Sequence, residues 1–265
     1  MRMFLSAYDF YDAGGRRSDK TMSRNFDLPR ITEHIHAKYE PAPRADSWPN
    51  AGRDHHGCRA IVDDEVMKLV QRVFILPDGA QTPEAIAFCG VEKGVGCSWV
   101  CANASRMLAS QGVGTVCAVD ANFHAPSLHH HFRVENRTGF AEALQSNDLV
   151  CDFVRRVSGP NLWLMTTGII GKEPLTPARL RTRIAELRNE FDFVLIDLPA
   201  ILSYGDATLL AHLTDGAVLV VGSNMTRRES ARMAKESLEA ASVPILGAVL
   251  NKRLFPIPEA IYKKL

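Results

Sequence analysis

Gly90-Val-Glu-Lys-Gly-Val-Gly-Cys-Ser98 lies between an apolar run, Ala85-Ile-Ala-Phe-Cys89, and an apolar-periodic run from Val100 to Leu108. Strand, glycine-rich loop and helix in that order is the layout of a phosphate-binding P-loop. Its glycines let backbone amides approach phosphate oxygens, and the helix N-terminus adds positive potential. Ser98 stands where the motif's hydroxyl binds Mg²⁺, but Cys97 stands where the motif has Lys. A tight βα turn also uses glycines and is an equally good reading of this loop taken alone. The dinucleotide fingerprint is excluded, because the glycine it needs at position 99 is Trp99.

Outward from the loop, strands and helices alternate. Thr115–Asp120, Leu162–Thr166, Phe193–Asp197, Ala217–Val221 and Ile245–Leu250 read as strands. Ser98–Ser110, Phe140–Ser146, Pro177–Glu190, Ala207–His212 and Glu229–Ala241 read as helices. Thr176 is the expected N-cap before Pro177. The strands are continuous apolar runs, as expected of parallel strands covered on both faces. Repeated βα units predict an α/β fold with a doubly wound, mostly parallel sheet, whose ligands bind at the carboxyl ends of the strands.

At 265 residues, 46% hydrophobic and 23% charged, the chain has the composition of a globular protein with an ordinary core. A net charge of +1 gives no global attraction to nucleic acid, and no basic stripe marks a nucleic-acid partner. No segment approaches the roughly 18 apolar residues of a membrane span, and the first residues lack a signal-peptide h-region. The six cysteines form no Cys-x-x-Cys pair, and Cys89 and Cys117 lie in strand-like runs, so a reduced, cytoplasmic protein is expected. Residues 37–60 contain no Ile, Leu, Val, Phe or Met. Residues 1–60 are therefore expected to be a largely disordered arm, with Met22 as an alternative start, and 61–265 the folded domain. A helix over Asp63–Phe74 is expected to open that domain, with acids in its first turn and Val66, Leu69, Val70 and Val73 on one face.

Two acids add to the loop. Asp120 ends one strand and Asp197 another. Two carboxylates at strand ends beside a phosphate loop make a hard-oxygen site suited to Mg²⁺. Each alone is equally well read as a cap or turn residue, but with the loop they point to a nucleotide site. His129-His-His131 does not read as a metal site, since three consecutive residues cannot all face one ion in regular structure.

With these segments in hand, the chain resembles the bacterial tyrosine kinases, P-loop regulators of capsule and exopolysaccharide synthesis. They are grouped with the septum-site and partition ATPases. Val119-Asp-Ala-Asn-Phe-His-Ala-Pro-Ser-Leu-His129 is similar to the family's Asp-Ala-Asp-Leu-Arg-x-Pro-x-Leu-His segment. Asp192-Phe-Val-Leu-Ile-Asp-Leu-Pro-Ala200 resembles its Walker B strand. Asp206-Ala, Thr214–Val221 and Gly247-Ala-Val-Leu-Asn251 also fit. The resemblance spans about residues 61–265. It implies ATP or ADP with Mg²⁺ as cofactors. The nucleotide would lie along Lys93, Gly94, Val95, Gly96, Cys97, Ser98 and Trp99, with Asn251 at the adenine. Metal ligands would be Ser98, Asp120 and Asp197, the two acids also carrying catalysis. It further implies a membrane chain-length regulator (polysaccharide co-polymerase) as partner, which would bring the protein to the inner membrane. Glu65-x-x-Lys68-x-x-Gln71 falls where the family has a homo-oligomerisation motif, with only the Glu and one basic residue kept.

The departures bear on activity. Cys97 removes the lysine that neutralises phosphate charge, a loss worth about 2–5 kcal/mol. Asn122 and His124 replace an acid and an arginine of the family pattern, and Tyr262 is the one tyrosine after Tyr204. Weak or lost phosphoryl transfer is the expectation. Two alternatives stand beside it: an active kinase or ATPase using Lys93 for charge, and a scaffold that binds no nucleotide. Cys97 reads either as an inert substitution or, at a helix N-terminus near Lys93, as a thiol of lowered pKa.

Overall fold

The computed structural model describes residues 2–4, 56–75, 82–157, 159, 161–169, 171 and 176–253. Its strands are β1 Arg2–Phe4, β2 Ala85–Gly90, β3 Val116–Asp120, β4 Arg155–Arg156, β5 Leu162–Met165, β6 Phe193–Leu198, β7 Gly216–Gly222 and β8 Ile245–Arg253. The helices are α1 His56–Phe74, α2 Cys97–Ser110, α3 Leu128–Phe132, α4 Phe140–Gln145, α5 Pro177–Glu190, α6 Gly205–Ala211 and α7 Arg228–Ala240. The sheet order is β1-β8-β7-β2-β6-β3-β5-β4, with β1 and β4 antiparallel at the edges and the inner strands parallel. This is the doubly wound α/β sheet expected from the continuous apolar runs.

Strand parity sorts the core. Ile86 and Phe88 of β2, Val116 and Ala118 of β3, and Phe193 and Leu195 of β6 face a cluster built with α1 and α2. Ala87, Cys117, Val194 and Ile196 face the other cluster, which receives Phe140 of α4, Leu180, Ile184 and Leu187 of α5, and Leu238 of α7. Side chains two residues apart share a face, so Asp120 and Asp197 project to the α2 side. The two also stand opposite one another in the β3–β6 ladder. Strand order in the sheet then explains the site. β6 lies between β2 and β3, so the loops leaving β2, β3 and β6 open side by side.

Several expectations change. α1 begins at His56, so residues 56–60 are helical although they carry no large aliphatic side chain; Asp63, Asp64 and Glu65 lie within the helix and not in its first turn. A helix anchored by a packed stripe extends on its own backbone bonds, and Val66, Leu69, Val70 and Val73 are that stripe, all buried. β1 also falls inside the segment expected to be without order, as an antiparallel edge strand on β8. The rest of the expected arm, residues 1 and 5–55, and the possible start at Met22 lie outside the described residues. Thr176 occupies the N-cap position of α5 with extended backbone but makes no side-chain cap bond; Pro177 does open the helix. No helix among the described residues is long and apolar enough to cross a membrane.

Candidate nucleotide site

The loop after β2 turns through two left-handed glycines, Gly94 at φ 79° and Gly96 at φ 89°. Only glycine takes such angles freely, and left-handed residues in a loop turn successive amides toward a shared concavity. Gly96 caps α2 directly, and Val100 N–H donates to its carbonyl at 3.1 Å. A side chain at Gly96 would meet Asn251 Nδ2 at 2.5 Å, so that glycine is required twice over. Val95 is buried in the α2-side cluster and fixes the loop from beneath. The loop is further tied to its neighbours by Val91 N–H to Val220 O at 3.0 Å and Ile201 N–H to Gly90 O at 2.9 Å.

Beside this loop sits Asp197, fully buried, with both carboxylate oxygens lacking a hydrogen-bond partner. Burial, reinforced by neighbouring Asp120, raises its pKa well above the usual carboxylate range. The Ser98 hydroxyl and Cys97 thiol lie close enough to favour its ionised form, though neither makes a hydrogen bond to it of good geometry. Asp120 is buried too, but its carboxylate is in use. Oδ2 accepts Ser127 N–H at 3.0 Å and Leu128 N–H at 2.9 Å, and Oδ1 accepts Asn122 N–H at 3.2 Å. Burial raises its pKa, and these backbone donors hold it back. Asp120 thus organises the turn into α3, while Asp197 is the uncommitted acid.

Cys97 is a half-buried free thiol. Burial first, then Asp197, raise its pKa well above that of a free cysteine, the reverse of the lowering considered from its helix N-terminal place. Cys89, Cys97, Cys101, Cys117 and Cys151 are all free thiols. Trp99, half-buried, packs against the α2-side cluster, as does Met107. Lys93 points across the mouth, its Nζ 4.5 Å from the centroid of the Tyr204 ring. His124 stacks on that ring at 3.6 Å, and its Nε2 pairs with Asp206 Oδ2 at 2.8 Å. Lys93, His124, Tyr204 and Asp206 therefore stitch together the loops after β2, β3 and β6.

Asn251, buried at the end of β8, donates from Nδ2 to Val95 O at 2.9 Å and accepts Lys252 N–H on Oδ1 at 2.8 Å. It pins the loop, with one amide N–H left over. Glu65 is buried in α1 and accepts from Lys68 Nζ at 2.7 Å, while Gln71 is exposed. The sequence reading did not single out Tyr204, nor Lys252, whose Nζ donates to Gly94 O. Lys252 adjoins Asn251 in the chain, but its left-handed backbone (φ 59°), which no spacing pattern encodes, is what turns it toward the loop.

The residues fit Mg²⁺ and a nucleotide phosphate in part. Among the described residues no three His, Cys, Asp or Glu side chains could hold a metal by themselves. Mg²⁺ in a nucleotide site takes only one or two carboxylates beside the phosphates, and Asp197 with the Ser98 hydroxyl is such a set. The orphaned oxygens of Asp197 and the glycine concavity are the matching halves. The missing half is a cation at position 97.

A doubly wound sheet with such a loop and a buried acid at the neighbouring strand end is the fold of the P-loop ATPases of the septum-site and partition kind. The chain superimposes on the cell-division ATPase MinD of Pyrococcus furiosus with a TM-score of 0.55 and 26% identity, over 62% of this chain and 70% of that one. It superimposes on the kinase domain of the Escherichia coli tyrosine kinase ETK with a TM-score of 0.67 and 20% identity, over 88% and 98%, a likeness of fold. In sequence it is 34% identical over 164 residues to the tyrosine-protein kinase YwqD of Bacillus subtilis, covering 60% of this chain and 68% of that protein. No family model matches it. The chain belongs to the bacterial tyrosine-protein kinase family.

Proposed function

We propose that this protein is a tyrosine-kinase-like P-loop regulator of exopolysaccharide or capsule synthesis, with weakened or lost phosphoryl transfer. Asp197 carries the reading. It is a buried acid with both oxygens free, beside a loop that keeps the glycine geometry but offers a thiol in place of an ammonium. Phosphoryl transfer depends on positioning and charge neutralisation far more than on covalent chemistry. Mg²⁺, when bound, would neutralise part of the phosphate charge. The loop amides would orient the phosphates, Ser98 and Asp197 would hold the metal, and Asp120 would hold the β3 turn in place. Without a lysine at 97, ATP binds loosely and turns over slowly. The partner is a membrane polysaccharide chain-length regulator, which would bring a cytoplasmic protein to the membrane. Self-association through α1 belongs to the same reading, though Glu65 is already buried and paired with Lys68.

Purified protein incubated with ATP and Mg²⁺ tests this. The expected outcome is thermal stabilisation only at high ATP concentration, since a ligand stabilises in proportion to ln(1 + [L]/Kd), with little or no phosphotyrosine. Stabilisation at micromolar ATP together with abundant phosphotyrosine contradicts it.

A further inference from the structure

We infer that Lys252, one residue beyond the end of the established motif, supplies the phosphate-binding ammonium that Cys97 cannot. The inference rests on the nucleotide-site reading above. Three observations lead to it. First, the loop's own lysine, Lys93, lies at the mouth, exposed, with Nζ over the Tyr204 ring of the β6 loop. Second, Lys252 is aimed at the loop from the β8 side. Its backbone is left-handed at φ 59°, its N–H is held by Asn251 Oδ1 at 2.8 Å, and its Nζ donates to Gly94 O. The side chain passes over the cap of α2, with Cε 3.9 Å from the place a Cβ on Gly96 would occupy. An ammonium has three donors, and Gly94 O takes one. Third, position 97 holds a thiol and no cation: Asp197 is fully buried, next to Cys97 and Ser98, with both oxygens unpartnered.

Asn251 and Lys252 then act as a pair. Asn251 fixes the loop through Val95 O, and the left-handed turn that follows places the next side chain along the loop's outer edge. A flexible four-carbon stem lets the ammonium leave Gly94 O for a terminal phosphate oxygen. The ligand class is a nucleoside di- or triphosphate with Mg²⁺, and the cation enters from β8 where the family's motif brings it from α2.

The test measures binding of a fluorescent ATP analogue with Mg²⁺ to the full chain and to five variants. The variants are Lys252→Gln, Lys252→Arg, Lys93→Ala, Cys97→Lys and Cys97→Lys/Lys252→Gln. Thermal melts without nucleotide confirm that each folds. Lys252→Gln is expected to weaken binding about 10-fold or more, equal to about 1.4 kcal/mol. Lys252→Arg should stay within about 3-fold of wild type, Lys93→Ala should weaken binding less than Lys252→Gln does, and Cys97→Lys should restore the Lys252→Gln protein. Equal binding by wild type and Lys252→Gln overturns the role of Lys252 and leaves the nucleotide site standing. Binding by Cys97→Lys but not by wild type overturns it as well, because Lys252 then fails to substitute. Binding by neither overturns the nucleotide site and this inference together.

Discussion

Replacing Asp197 by Asn is expected to stabilise the protein at neutral pH, and the size of the gain follows from the site. The acid is fully buried, neither oxygen has a hydrogen-bond partner, and Asp120 stands beside it on the next strand. Its folded pKa is raised well above its unfolded value. A raised carboxyl contributes stability that is complete below the unfolded pKa, near ~3.9, and is lost as pH climbs to the folded value. Across that window the wild type loses about 1.4 kcal/mol per pH unit relative to a neutral side chain. Asn carries no charge but keeps a buried amide to desolvate, which costs about 1–3 kcal/mol. The advantage of Asn over Asp is therefore expected to rise with pH by up to about 1.4 kcal/mol per unit through that window, and to appear as a higher Tm at pH 7.5. The assay is a thermal melt of wild type and Asp197→Asn, without nucleotide, at pH 4.5, 6 and 7.5. The gain must grow with pH. A destabilised Asp197→Asn at pH 7.5, or a difference flat across pH, would refute the reasoning.

Two further outcomes follow from the same geometry. Asn251→Ala removes the bonds to Val95 O and Lys252 N and leaves those groups unpaired. It should cost about 1–3 kcal/mol in urea unfolding and speed amide exchange in residues 94–97. Cys97, raised by burial and by Asp197, should alkylate with iodoacetamide at pH 7.5 far more slowly than a free thiol, with the rate climbing only once the protein unfolds.

The fold was legible because continuous apolar runs such as Ala85–Cys89 and Phe193–Asp197 have one use, a parallel strand buried on both faces. Elements with little apolar signal were not. The five-residue helix Leu128–Phe132 reads as three histidines, and the two-residue edge strand Arg155–Arg156 pairs only because β5 offers an open edge. The glycine loop, Asp120 and Asp197 were placed correctly at the strand ends by their sequence neighbours. Their chemistry was not. Which of the two acids stays free depends on amides seven and eight residues away, at Ser127 and Leu128. The direction of the Cys97 shift depends on a burial that spacing does not report. Lys252 escaped notice because a left-handed residue at a strand end leaves no periodic trace.

The most direct measurement of the central claim is the affinity of the wild type and of Cys97→Lys for ATP with Mg²⁺, by calorimetry under identical conditions. An ammonium at 97 would meet the free oxygens of Asp197 and the bound phosphates. By the value of a close charge pair, about 2–5 kcal/mol, less the roughly 10-fold that Lys252 supplies, the variant should bind about 3-fold to a few hundred-fold more tightly. Wild-type affinity already equal to that of Cys97→Lys would contradict a site weakened by the loss of its lysine.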